Sequence, residues 1–479
     1  MVPIIKRLTI FFALALLLSG TAALAGASRQ PVAENPKYVF FFLGDGMSTA
    51  QIEAAAAFKA GDENRAESLL DPASRLHMTQ LPATGLAETF AANRFITDSA
   101  AAATAFTCGC KTRPGTLGRN TALDKAYKSI AELAQERGRA IGLISSAPLS
   151  HATPAGYYAN VNSRYSYCEI GYQAARSGFE FFGGAHFSKL NSDRNAGKVV
   201  LKQAFTDAGY AFLTDKEEIL QLADKEKGKV ICSVATPHDG SSMPYAIDRS
   251  ADNFTLADIT QVAINYLGND PEGFFILVEG GKIDWACHVN DAATALVELI
   301  AFDDAVGVAR DFLAEHPSET LIIVTGDHET GGLGIGYSGT RYQTRLQLLN
   351  KQKKSAERFV TEDLAAYRQT HPWTGADCNI DSNMKQLIES TFGLDWNGLS
   401  EYQREQLETA YDASFGLVKE DGRPSGYDLD GETDVHFLTY GEADPLTVTL
   451  TRMLNNEAGL QWTTFSHTAA PVPVMAAGA

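Results

Sequence analysis

The chain has 479 residues, 45% of them hydrophobic and 20% charged, enough for one large α/β domain with elaborations or for two to three ordinary domains. Its formal net charge is −18, and the 58 acidic residues are spread along the chain rather than packed into a tail. That balance argues against nucleic acid and anionic membrane surfaces as main partners, and an anionic substrate would need a local positive site. At the N-terminus Lys6 and Arg7 precede the apolar run LTIFFALALLLSG, and Ala23-Leu24-Ala25 supplies small residues for cleavage. Residues 1–25 are therefore expected to be a secretory signal peptide, too short and wrongly flanked for a spanning helix. The expected product is exported, periplasmic or secreted, with no membrane partner.

Four short apolar runs then recur, each ending in polar or glycine-rich residues: YVFFFLGDGM (38–47), AIGLISSAPLSHATPAG (140–156), GFFILVEGG (273–281) and TLIIVTGDHETGG (320–332). Continuous apolar strands bounded by turns are the pattern of a parallel sheet buried on both faces. Helical patterns at 122–137, 256–267 and 292–315 alternate with them. The expected fold is α/β, a doubly wound, mostly parallel central sheet flanked by helices. In such sheets ligands gather at the carboxyl ends of the strands. Residues 333–458 are more polar, with KQKKSAER and the acidic run YDLDGETD (427–434). They are expected to form a large insertion subdomain in a core of 36–332 and 459–479. Clustered carboxylates suit calcium, but a solvated loop is the simpler reading of that acidic run.

Six cysteines, Cys108, Cys110, Cys168, Cys232, Cys287 and Cys378, favour disulfides or buried thiols in an oxidising compartment, with a pairing that spacing cannot choose. Cys108-x-Cys110 has no matching second pair that would make a thiolate metal site.

The stretch FITDSAAAATAF (95–106) has two readings. Asp98 and Ser99 are good helix openers, and alanine propagates a helix at low entropic cost. A hydroxyl in the first turn also sits at the positive end of the helix dipole, where an anionic adduct is stabilised. Other candidates are weak one by one. Asp45 in LGDGM reads as a cap, Glu279 in LVEGG as a strand-end charge, and Asp284 and His288 in IDWACH as a surface pair. His467 in FSHTAAPVPV reads as a structural histidine. Asp327-His328 in TGDHETGG are harder to dismiss, being two adjacent ionisable residues straight after an apolar strand. Together they form a set of carboxylates and imidazoles suited to zinc, with hydroxyl and carboxylate groups suited to magnesium, placed at neighbouring strand ends beside a serine. A serine hydroxyl is a poor nucleophile until a metal or base ionises it, and paired metals also stabilise the leaving oxygen.

In this order, LGDGM, TDSAAAAT, HATPAG with a following arginine, VEGGKIDWACH, TGDHETGG and SHT resemble the metal-dependent alkaline phosphatase family, from about residue 38 to residue 475. The resemblance implies hydrolysis of small phosphate monoesters through a phosphoserine, two zinc ions and one magnesium ion per chain, and a homodimer. Carried over, Ser99 matches the nucleophile and Arg164 the phosphate clamp, whose fork fits two phosphate oxygens. Asp284, His288 and His467 match the first zinc site, and Asp45, Asp327 and His328 the second. Asp45 would bridge to a third site completed by His151, Thr153 and Glu279. His151 and Trp285 stand where the best-known bacterial members carry aspartate and lysine, which leaves the third ion open to another divalent cation. The chain also stops about a dozen residues after His467, where family members usually continue, so either the last sheet element is absent or the sequence is truncated. A diesterase or sulfatase on the same core is a rival, but TDSAAAAT lacks the Cys/Ser-x-Pro-x-Arg motif of sulfatases. A phosphate- or metal-binding protein without turnover would not need a serine at the metals.

Overall fold

The four apolar runs become four adjacent strands of one sheet. A computed structural model describes residues 36–61, 71–191, 199–224, 227–234, 240–371, 379–416 and 435–479. The leader, Cys378 and the acidic run 427–434 lie outside these residues. The sheet comprises β1 (Tyr38–Gly44), β2 (Ala83–Ala87), β3 (Ala140–Ser145), β4 (Phe181–Gly184), β5 (Tyr210–Leu213), β6 (Lys229–Ser233), β7 (Phe274–Gly280), β8 (Thr320–Gly326) and β9 (Val472–Gly478). Their spatial order is β2-β9-β8-β1-β7-β3-β4-β6-β5. Every neighbouring pair is parallel except the two made by β9.

Strand β9 corrects the expectation of a missing last element. It is present, antiparallel, between β2 and β8. Its sequence, VPVMAAG, hides it, because proline and small residues weaken the strand signal. The helix expected over 122–137 is also shorter, covering only Ile130–Gln135. Ser129 starts it with a capping box to Glu132, while Leu123 upstream sits at a left-handed φ of 66°, incompatible with a helix. The other two helices run as expected, and the first residue after Asp98 does open a helix.

The helices used below are α1 (Thr49–Ala60), α2 (Ser99–Cys108), α3 (Leu256–Leu267), α4 (Lys282–His288), α5 (Ala292–Glu315) and α6 (Pro445–Ala458). Alternate residues of β1 face opposite sides, as the period of two requires. Phe40 and Phe42 pack in one apolar cluster with Leu256 and Ile259 of α3 and Leu299 and Phe302 of α5. Val39 and Leu43 pack in a second cluster with Ala100 and Ala103 of α2. Burial on both faces explains why the runs read as continuously apolar. A short antiparallel ladder, Leu333–Ile335 against Leu460–Trp462, packs its Leu333 and Leu460 in the first cluster, and the chain between its strands carries a third apolar cluster running from Phe359 to Met453. The five described cysteines form no disulfide with one another, and Cys232 and Cys287 are buried.

Candidate active site and metal centre

Strand register builds the site. Gly44 is level with Gly280 of β7 and Gly326 of β8, and Leu43 and Ser145 both lie opposite Glu279. The residues that follow these strand ends, Asp45 and Asp327, therefore emerge side by side at one edge of the sheet, next to Glu279. Gly46 is at φ +72° with its hypothetical Cβ 2.9 Å from the Asp284 Cα, so only glycine lets the β1 loop come this close to α4. Because β9 runs antiparallel, it starts at the edge where the others end, and it brings His467 there. His467–Thr468 pairs with Glu329–Thr330 just beyond β8. Helix α2 sets Ser99 against the same edge, with Oγ 3.3 Å from His328 Nε2 and the residue 1% exposed.

All eleven residues expected from the sequence come together in linked groups. Asp284, His328 and His467 offer ligand atoms within reach of one ion, as do Asp45, Asp327 and His328, and Asp45, His151 and Glu279. His288 joins through Asp284 Oδ2, 3.3 Å from its Nε2, and His467 Nε2, 3.2 Å away. Thr153 Oγ1 lies 3.5 Å from Asp45 Oδ2. Arg164 donates to Asp98 Oδ2 (3.1 Å) and lies 2.9 Å from His151 Nε2. One detail differs from the expected sorting, since His328 lies within reach of both the Asp284–His467 pair and the Asp45–Asp327 pair.

Two observations say what these groups fit. Three imidazoles have Nδ1 tied to acceptors: His288 donates to the Phe465 carbonyl (2.6 Å), His467 to the Thr97 carbonyl (2.9 Å), and His328 faces the Thr330 hydroxyl (3.2 Å). Each therefore turns its Nε2 into the cluster, the arrangement by which outer partners aim metal-binding histidines. The Nε2 atoms of His288 and His467 then face each other at 3.2 Å, which only a shared proton or cation satisfies. Among the described residues, moreover, the buried oxygens Asp45 Oδ1, Asp327 Oδ2 and Glu279 Oε1 have no hydrogen-bond partner. Buried anions left bare cost several kcal/mol each in a protein interior (about that order), so they call for a cation.

The electrostatics agree. Burial, with Asp327, Asp284 and Glu279 nearby, lifts the Asp45 carboxyl well above its usual range. Burial lifts Glu279 to about 7 and, with Asp284, Asp327 to about 8. Burial drives His151 down to about 3, helped by Arg164, and keeps its ring neutral. Burial would raise Asp284 too, but His288 and His467 hold its carboxyl well below the usual range. Burial opposes a proton on His288, yet Asp284 carries that ring up to about 9.

Some contributors escaped the sequence reading. Asp98 does more than cap α2 through Ala101 N (3.0 Å), because its other oxygen takes both Gly115 N (3.0 Å) and Arg164. Ser145 donates to Glu279 Oε2, whereas Trp285, singled out in the sequence beside His151, stands edge-on to that ring at 6.0 Å. A polar residue at the buried end of β3 was the available signal for Ser145. Nothing local distinguished Thr97 or Phe465, which act through backbone carbonyls.

A mostly parallel α/β sheet whose carboxyl edge gathers three linked carboxylate–imidazole clusters round a buried serine defines a metal-binding hydrolase. The profile of the family described as alkaline phosphatase matches residues 36–182 and 181–479, and the chain belongs to that family. Over 383 residues it is 31% identical to alkaline phosphatase 3 of Bacillus subtilis, covering 78% of this chain and 76% of that one. The crystal structure of a cold-active alkaline phosphatase from a psychrophilic Shewanella is similar with a TM-score of 0.71 and 27% identity, covering 92% of this chain and 94% of that one. The Thermus thermophilus alkaline phosphatase structure gives 0.70 and 25%, over 95% and 90%. The protein is thus a phosphatase acting on small phosphate monoesters. No helix among the described residues is long and apolar enough to cross a membrane.

Proposed function

We propose that this alkaline phosphatase works through a phosphoserine on Ser99, with two zinc ions and a third divalent ion held by the clusters above. Asp284, His288 and His467 would hold the first zinc, and Asp45, Asp327 and His328 the second. Asp45, His151, Thr153 and Glu279 would hold magnesium, or another divalent ion that tolerates an imidazole. When bound, such ions act as Lewis acids that favour the ionised serine and the departing alkoxide. The bare buried oxygens and inward-facing Nε2 atoms carry this reading.

The chain's own groups account for the rest. Ser99 Oγ, having lost its proton to solvent, forms a bond to phosphorus as the ester O–P bond breaks and the alkoxide leaves to take a proton. Water then splits the Oγ–P bond, releasing inorganic phosphate and restoring the hydroxyl. Standing at the first turn of α2, Ser99 presents the phosphoryl group to free backbone N–H groups and the positive end of the dipole. Arg164 supplies paired donors for the non-bridging oxygens, and Asp98 fixes one arm of that fork in advance. Preplaced charge of this kind does most of the work in phosphoryl transfer. Ser99→Ala is expected to abolish both turnover and the phosphoenzyme trapped by acid quench while retaining bound metal. Full turnover in that variant would sink the mechanism.

We also read residues 1–25 as a cleaved leader, the enzyme as an exported homodimer, and 333–458 as an insertion on the core of 36–332 and 459–479. The leader's charge and apolar run, and the narrow ladder at Leu333–Ile335, support these readings. Cell fractionation, sedimentation and limited proteolysis test them in turn.

A further inference from the structure

Thr330 lies where four segments of the site meet, and it is fully buried. Its amide donates to the Gly46 carbonyl (3.2 Å), and its carbonyl accepts from Gln51 Nε2 (3.0 Å). In the two-residue ladder beyond β8 it sits opposite His467. Its hydroxyl is 2.5 Å from Asp284 Oδ1 and 3.2 Å from His328 Nδ1.

A hydroxyl has one proton and two lone pairs. The Asp284 carboxylate can only accept, so the proton is committed there. What faces His328 Nδ1 is then a lone pair, so that ring must carry its proton on Nδ1 and direct Nε2 at Ser99, Asp45 and Asp327. A β-branched residue in a short strand is ordinarily a packing choice, and valine would fill the same space. Valine could neither donate to Asp284 nor accept from His328.

We propose that Thr330 is a positioning residue that couples the two zinc clusters, one hydroxyl holding Asp284 in the first and fixing the His328 ring in the second. This rests on the ligand assignment above and adds to it a link between the two clusters. Removing an outer partner of a metal ligand typically lowers metal affinity about tenfold to a hundredfold. Because the same hydroxyl serves both clusters, both zinc affinities should fall together.

The test follows zinc transfer from the loaded protein to a chromogenic chelator, for the wild type, Thr330→Val and Thr330→Ser. Thr330→Val is expected to lose about tenfold to a hundredfold in affinity for each of the two zinc equivalents, and Thr330→Ser to stay within about threefold of the wild type. The proposal is overturned if Thr330→Val matches the wild type, if only one equivalent weakens, or if serine is no better than valine. An independent reading needs no variant to fold. In nitrogen-15 NMR of the zinc-loaded wild type, the His328 proton should reside on Nδ1, and a proton on Nε2 overturns the proposal. A wild type that holds no zinc would remove the ligand assignment itself, whereas failure in the valine series alone would leave that assignment standing.

Discussion

Two groups of buried carboxylates invite comparison. Asp291, at the start of α5, is as deeply buried as Asp45 and Asp327. Its oxygens accept from Thr294 N (3.1 Å), Thr294 Oγ1 (2.6 Å), Gln352 Nε2 (2.8 and 3.0 Å) and Ala356 N (2.8 Å). Burial pushes its carboxyl up, and these donors pull it back. Asp303, likewise buried, takes the amides of His77 and Met78 (2.8 and 2.9 Å). At the sheet edge, by contrast, Asp45, Asp327 and Glu279 each keep an oxygen with no hydrogen-bond partner, Asp327 Oδ2 and Asp45 Oδ1 facing His328 Nε2 at 3.2 and 3.5 Å. Depth alone therefore does not mark function. A buried acid whose lone pairs are all engaged ties segments together, as Asp291 ties α5 to residues 352–356. One with spare lone pairs is built for a cation.

The sharpest way to break this contrast is to neutralise one member of each group. Asp45→Asn removes a carboxylate shared by two clusters, so kcat/KM should fall on the order of 10³-fold or more, with measurable loss of bound metal. Asp291→Asn turns an acceptor into a donor facing Gln352 and Ala356. It should cost about 2–4 kcal/mol of stability by thermal or denaturant unfolding while leaving metal content unchanged. A large metal loss in the second variant, or none in the first, would dissolve the distinction.

Next in size is the clamp. On the proposed mechanism Arg164→Ala would remove two charge-assisted hydrogen bonds to phosphate and should lower kcat/KM about 100-fold, with weaker inhibition by inorganic phosphate. Asp98→Asn keeps the helix cap but sets an amide donor against Gly115 N and Arg164, so a smaller loss of about tenfold is expected, with a loss of about 1 kcal/mol in stability.

The subtlest contrast is in pH. Without a cation, Glu279 and Asp327 are lifted to about 7 and 8 by burial and neighbouring acids, and His288 to about 9 by Asp284 against its burial. A group whose folded pKa is raised contributes stability below its unfolded value, about 4 for the acids and about 6.5 for histidine, and loses it as pH rises through the folded pKa. The lowered rings of His151 and His328 change charge on unfolding only below about pH 6.5. From pH 6.5 to 9 all the raised groups act in one direction, so the melting temperature of chelated protein should fall while that of metal-loaded protein holds. A chelated protein with a flat profile would mean the three acids do not share one desolvated site.

Much of this was legible in the sequence because strand cores and strand ends are local signals. The runs containing Phe40, Ile276 and Val324 announce a sheet buried on both sides, and Asp45, Glu279 and Asp327 stand at or just after their ends. Ser99 was legible as a helix opener beside them. Strand β9 was not, since Pro473 and the alanines carry no strand pattern and their place is set by pairing with Thr325 and Leu86. Nor were the roles of Thr97, Phe465 and Thr330 legible, because they depend on which backbone or hydroxyl oxygen meets which imidazole after folding. The second task of Asp98 was masked by the adequacy of its first.

The antiparallel course of β9 also makes the site depend on a long-range closure. His467 leans on the Thr97 carbonyl of a residue 370 positions earlier, and its neighbour Pro471 takes the Ser48 hydroxyl. Every other metal-binding candidate lies at or before His328, so the His467 contact closes a loop across the whole of the intervening chain. Closing so long a loop costs chain entropy, and the Asp284–His328–His467 group is incomplete until it closes. A chain cut after α6 would keep the sheet's parallel strands but lack His467, and the Asp284–His328–His467 group would be left with two of its three side chains.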